Sequence, residues 1–183
     1  MNMTKSIRNP YIVGPPISES KHFYGRDQLF DFIEDNLNQS EIQVILLHGQ
    51  RRIGKSSILR QIPKRLEHSN FAFVSFDLQN KSQMPLYEIL YDLAQQITNQ
   101  LKIEKKYSPP SLDTLKNDLD AFSSGFLRQI EEDIQRKRIV LLLDEFDAIE
   151  NSARVNSTEN FFYFCQSLLA NHQSLCVIPV IGR

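Results

Sequence analysis

The run Gly49-Gln50-Arg51-Arg52-Ile53-Gly54-Lys55-Ser56 follows the spacing G-x-x-x-x-G-K-[ST], the pattern of a backbone loop that cradles phosphate. Each residue type answers a need of a bound anion. Gly49 lets the chain turn out of a strand, Gly54 lets the backbone approach a phosphate closely, and the amides of residues 52–56 can converge on negative charge. A helix that begins at the loop adds its partial positive end. Lys55 has the reach and charge for the β and γ phosphates. The Ser56 hydroxyl offers an oxygen ligand to Mg²⁺, a hard cation that retains several waters. Gln50, Arg51, Arg52, Ile53 and Ser57 complete the candidate contacts. These residues imply a nucleoside triphosphate.

A second acidic motif supports that chemistry. Ile139-Val140-Leu141-Leu142-Leu143 is a continuous aliphatic run that ends in Asp144-Glu145, the pattern of a strand buried on both faces of a parallel sheet. Ligands of open α/β sheets bind at such carboxyl ends. Asp144 there is a candidate for the magnesium shell, and Glu145, pointing elsewhere, for the base that polarises an attacking water. Three neighbours have plainer readings: Asp77 as a turn former, Asp147 as a helix cap, and His48 as a packing residue.

The elements that must position these groups alternate along the chain. Residues 1–22 are polar and punctuated by prolines, which predicts an extended arm. Leu29, Phe30, Phe32, Ile33 and Leu37 predict a leading helix within 23–40, and the α/β core follows over 41–183. Strands are expected at 43–48, 71–78, 139–143 and 175–181. The helix after the glycine loop runs to about Glu67, and Leu86, Ile89, Leu90, Leu93, Ile97 and Leu101 give a helical stripe. A further helix spans Leu112 to about Lys137 with an interruption near Ser123-Ser124-Gly125; a polar loop covers 150–158, and a last helix carries Phe161, Phe162, Phe164, Leu168 and Leu169. Strand–helix alternation of this kind implies a three-layer, doubly wound α/β fold with a parallel sheet.

Composition sets outer bounds. At 183 residues, 41% hydrophobic and 23% charged, the chain suits one globular domain with a sizeable core. A formal charge of −1 supplies no basic field for nucleic acid, so that partner has no support here. Only Cys165 and Cys176 are present, without metal-ligand spacing, which predicts free thiols in a reducing, cytoplasmic setting. The N-terminal stretch has no apolar signal region, and no apolar run approaches the ~20 residues of a membrane helix.

With the motifs in place, the chain resembles the STAND and archaeal-type ATPases of the broader AAA-like P-loop class. The internal Arg51-Arg52 is similar to the G-x-R-R-x-G-K loop of that family, Leu143-Asp144-Glu145-Phe146-Asp147 to its Walker B segment, and Tyr24-Gly25-Arg26-Asp27 to the G-R-E/D motif ahead of the loop. The resemblance implies ATP or ADP rather than a guanine nucleotide, consistent with the absence of N-K-x-D. It also implies that the arm residues Tyr11, Val13 and Gly14 lie against adenine, that Tyr24, Gly25 and Arg26 contribute to the nucleotide site, and that Arg183 ends a sensor strand and reads the γ phosphate. The fold implied is the ASCE type of P-loop NTPase, with strand order 2-3-4-1. Because the sequence ends at Arg183, a final strand and a helical lid are expected to be missing. Downstream lid or effector domains, a partner protein or self-association would then cover the open sheet edge.

Two functional classes follow. One is the ATP-hydrolysing module of a larger signalling switch, favoured by Glu145; the other is a nucleotide-binding scaffold without significant hydrolysis. A DNA-associated, initiator-like ATPase is a further alternative that needs a winged helix. A small-molecule kinase needs a substrate pocket and an arginine-rich lid that the sequence does not plainly contain.

Overall fold

A four-stranded, all-parallel sheet in the order β1-β4-β3-β2 carries the molecule. Read from the other edge this is the order 2-3-4-1 that the sequence implies. The computed structural model describes residues 25–67, 70–134, 137–150 and 161–182. Tyr11, Val13, Gly14, Tyr24 and Arg183, the rest of the 1–22 arm, and the polar loop from residue 151 on lie outside the described residues.

The chain runs α1 (Asp27–Leu37), β1 (Leu47–Gly49), α2 (Lys55–Arg65), β2 (Phe71–Asp77) and α3 (Leu86–Leu101). It continues through α4 (Leu112–Asn117), a π-helix (Ala121–Leu127), α5 (Arg128–Asp133), β3 (Arg138–Asp144), α6 (Asp147–Glu150), α7 (Phe161–Asn171) and β4 (Leu175–Gly182). The aliphatic run of β3 is explained by its two buried faces. Val140 and Leu142 pack with Phe30, Ile33, Ile58 and Ile62 of α1 and α2. Ile139, Leu141 and Leu143 face the layer of α3, the π-helix, α5 and α7. All five of these β3 side chains have 0% exposure. At about 1.5–3 kcal/mol for each fully buried aliphatic, this strand is a main anchor of both cores.

Two expectations need correction. The strand before the glycine loop is not buried throughout: Ile45 and Leu47 face α2, whereas Val44 and Leu46 are 50% and 52% exposed. His48 is also exposed, so it does not pack. The cause is position, because β1 pairs only with β4 and forms the edge of the sheet among the described residues. The second correction concerns the long helix. It breaks at 118–120, where the Asp118 carboxylate accepts from the Asp120 amide at 3.0 Å as a local turn. Ser123-Ser124-Gly125 lies inside the π-helix instead of interrupting the chain.

Register brings the polar strand ends together. Gly49 pairs with Gly182 across β1 and β4, and Asp77 pairs with Asp144 across β2 and β3. All four residues sit at the carboxyl edge of the sheet.

Candidate nucleotide-binding site

The glycine loop spans the gap between β1 and α2, and its backbone is bent where the motif demands. Gly54 has φ 90° and Arg52 has φ 65°, both in the left-handed region. Gly54 bears that conformation at no steric cost, and its carbonyl accepts the Ile58 amide at 3.0 Å to start α2. At Gly49 a Cβ would meet the terminal methyl of the exposed Ile53 side chain, which would have to turn aside. Lys55 is 9% exposed, and its ammonium donates to the carbonyls of Gly49 at 2.6 Å and Gln50 at 2.7 Å. Its charge is thus held at the mouth of the loop by two neutral acceptors. A phosphate would offer stronger, charged ones. Ser57 is buried in the first turn of α2, whereas Gln50, Arg51, Arg52 and Ile53 are exposed.

Across the cleft, Ser56 Oγ donates to Asp144 Oδ1 at 3.1 Å. The same oxygen accepts the backbone amide of Glu145 at 3.1 Å. These residues are 88 positions apart in sequence, and only the parallel order of the strands brings them together. A hydroxyl and a carboxylate side by side are oxygen donors of the kind Mg²⁺ takes alongside phosphates and water, so the donor set fits that ion. Among the described residues there is no cluster of three His, Cys, Asp or Glu that would make an all-protein metal cage.

Glu145 follows in a left-handed conformation with φ 52°, and its side chain is exposed. A glutamate gains nothing from that backbone geometry. Arg26, a nucleotide-binding candidate through the family resemblance, braces the loop: its guanidinium Nη2 donates to the Ile53 carbonyl at 2.6 Å. Gly25 and Arg26, with φ 76° and 64°, form the sharp entry to α1 that allows this reach. Asp77 accepts the Gln79 amide at 2.8 Å, which agrees with its reading as a turn former. A cleft of about 460 Å³ opens beside Asp144, lined by Arg60, Asp77, Lys81, Asp92 and Gln95 among others.

One contact was not anticipated from the sequence. The Asp147 carboxylate accepts the Gly182 amide at 3.3 Å and is therefore tied to the end of β4. The only prior signal was its place as the third acid of Asp144-Glu145-Phe146-Asp147.

A family model for the AAA ATPase domain matches residues 22–178 of this chain. The chain belongs to the AAA ATPase domain family. Its fold is also that of the Walker-type ATPase PABY2304 of Pyrococcus abyssi, with a TM-score of 0.57 and 18% identity over 92% of this chain. The chain spans 47% of the length of that protein. No curated protein is significantly similar to it. Membership in the AAA ATPase domain family makes this a nucleotide-binding ATPase module, and the fold accounts for how its loop and acids meet. None of its described helices is long and apolar enough to cross a membrane.

Proposed function

We propose that the chain binds Mg-ATP and hydrolyses it as part of a larger switch protein. The observation that carries this reading is the 3.1 Å contact between Ser56 Oγ and Asp144 Oδ1, which joins the glycine loop to the acidic strand. The loop amides of residues 52–56 and the start of α2 receive the phosphates, while Lys55 exchanges its two carbonyl partners for phosphate oxygens. Gln50, Arg51, Ile53 and Ser57 line the same loop. Ser56 and Asp144 would hold magnesium, which would supply neutralisation of the charge that develops on the phosphate oxygens. Glu145 orients a water in line with the terminal phosphate and takes its proton. In this reading Tyr11, Val13 and Gly14 contact adenine, Tyr24 and Gly25 contribute to the nucleotide site, Arg26 fixes the glycine loop, and Arg183 reads the γ phosphate. Hydrolysis then removes the contacts that hold one conformation.

Isothermal titration of Mg-ATP into wild type and Lys55→Ala tests the site. Loss of a charge-assisted contact of about 1.5–3 kcal/mol weakens binding roughly tenfold to a hundredfold. Wild-type affinity in Lys55→Ala overturns the assignment.

A further inference from the structure

The end of β4 approaches the phosphate loop more closely than any sequence motif requires. Gly182 is the register partner of Gly49, the first glycine of the loop. A Cβ placed on Gly182 would lie 3.6 Å from Lys55 Nζ, 3.8 Å from Arg51 Cγ and 3.9 Å from Asp147 Oδ2. One point at the strand end is therefore within contact distance of the loop lysine, a loop arginine and the third acid of the Walker B segment. The left-handed turn at Glu145 creates this arrangement. It reverses the chain so that the Phe146 amide donates to the Val180 carbonyl at 2.9 Å, and Asp147, one residue on, meets the Gly182 amide. The exit of β3 is thus stitched twice to the exit of β4, once by backbone and once by the Asp147 side chain.

We propose that Asp147 is a positioning residue, whose carboxylate holds the carboxyl end of β4 against the phosphate loop so that this strand end discriminates the terminal phosphate of ATP. The inference rests on the nucleotide site proposed above. An amide that donates to a carboxylate is held more firmly than one left to solvent. Fixing it sets the distance between β4 and Lys55, the group that reaches the β and γ phosphates. ADP keeps only the β-phosphate contact of Lys55 and lacks the γ group that lies toward the strand end, so its affinity depends less on this restraint. A Cβ at position 182 would meet Lys55 Nζ at an ordinary contact distance of 3.6 Å, so the strand end and the lysine lie directly against each other.

Binding of magnesium adenylyl imidodiphosphate and of ADP is measured by calorimetry for wild type, Asp147→Ala and Asp147→Asn, with the Gly182 amide proton followed by NMR. Asp147→Ala is expected to weaken the triphosphate analogue about tenfold, the equivalent of one charge-assisted hydrogen bond, with ADP changed less than about twofold. Its Gly182 amide resonance moves upfield as the carboxylate partner is lost. Asp147→Asn retains an acceptor oxygen and stays near wild type in both readouts. An unchanged Gly182 resonance and an unchanged ratio of the two affinities in Asp147→Ala overturn the proposal, as does equal weakening of both nucleotides. If wild type binds neither nucleotide, the phosphate site itself is refuted, and the Gly182 resonance still reports separately whether Asp147 holds the strand.

Discussion

The two ends of the sheet treat polar groups in opposite ways. At the amino ends of β3 and β4, charged and polar side chains are buried and held by several protein partners, although Arg138 Nε itself is buried without a hydrogen bond. Arg138 is 9% exposed and donates to the carbonyls of Leu37, Gln39, Ser40 and Ile42, closing the end of α1 and the loop after it. His172 is 5% exposed, with Nδ1 against Glu131 Oε2 at 2.5 Å and Nε2 against Ser123 Oγ at 2.8 Å. An ionised carboxylate only accepts, so Nδ1 is the donor there and a neutral ring accepts from Ser123. Serine, imidazole and carboxylate stand in the order of a hydrolytic triad, yet Ser123 is 6% exposed and locked inside the π-helix. The cluster fastens α5, the π-helix and the end of α7 to one another.

At the carboxyl ends the same kinds of residue are exposed or held by fewer partners, on a bent backbone. Gly25, Arg26, Arg52, Gly54 and Glu145 all have positive φ, whereas only Asn80 and Lys102 do elsewhere among the described residues. Non-glycine residues in that region cost about 1–3 kcal/mol each, and they persist where the surrounding structure holds them. Polar groups buried among many protein partners mark architecture; exposed groups on a strained backbone mark the edge where a ligand can add partners.

The largest effect expected from this contrast is on turnover. Glu145→Gln keeps the shape of an exposed, strained residue and removes its basicity, so single-turnover hydrolysis of ATP falls by about 10² or more. Unfolding in urea and Mg-ATP affinity stay near wild type, because Glu145 supports nothing in the core. Equal hydrolysis rates in the two proteins would remove Glu145 from the mechanism.

Arg138→Ala should do the reverse. It leaves several carbonyls around residues 37–42 without their donor and lowers stability by about 3 kcal/mol, seen as a fall in the urea midpoint. The folded fraction binds nucleotide normally, since Arg138 lies at the far end of β3. A loss of affinity without a loss of stability would break the division between the two sheet ends.

How far the sequence foretold these regions depends on whether local pattern or tertiary context places each group. The phosphate loop, the β3 strand and the α3 stripe are legible because spacing alone determines them: four residues between glycines, five consecutive aliphatics, and a 3.6-residue period. The strand order was available only through the family resemblance, which implies that the strand after the acidic one inserts between the two motif strands. The half-exposed face at Val44 and Leu46 did not, because burial at a sheet edge depends on what lies alongside and not on hydrophobicity. The π-helix was missed for a related reason. Ser123 and Ser124 read as breakers, but Ser123 is satisfied by His172, 49 residues away, and Ser124 bonds back to the Asp120 carbonyl. Asp147 looked like a cap, and its tie to Gly182 becomes visible only when β3 and β4 are adjacent.

The smallest expected effect tests whether buried polarity beyond the amino ends follows the same rule. Cys165 and Cys176 are free and buried. Burial pushes the Cys165 thiol from 9.0 up to about 12 and the Cys176 thiol to about 11, the latter despite the opposing charge of Arg138. Both thiols keep their proton in the fold after unfolded thiols have lost theirs. Their contribution to stability is complete below about pH 9 and declines as pH rises toward 11 and 12. The urea midpoint of wild type should therefore fall more steeply between pH 8.5 and 10.5 than that of Cys165→Ala, which has one such thiol fewer; these pH values bracket roughly the ordinary thiol range. Alkylation by iodoacetamide near pH 8 is expected only after unfolding. Parallel pH slopes in the two proteins, or rapid labelling of the folded chain, would place these thiols in contact with water and dissolve the distinction between a sealed core and an open carboxyl edge.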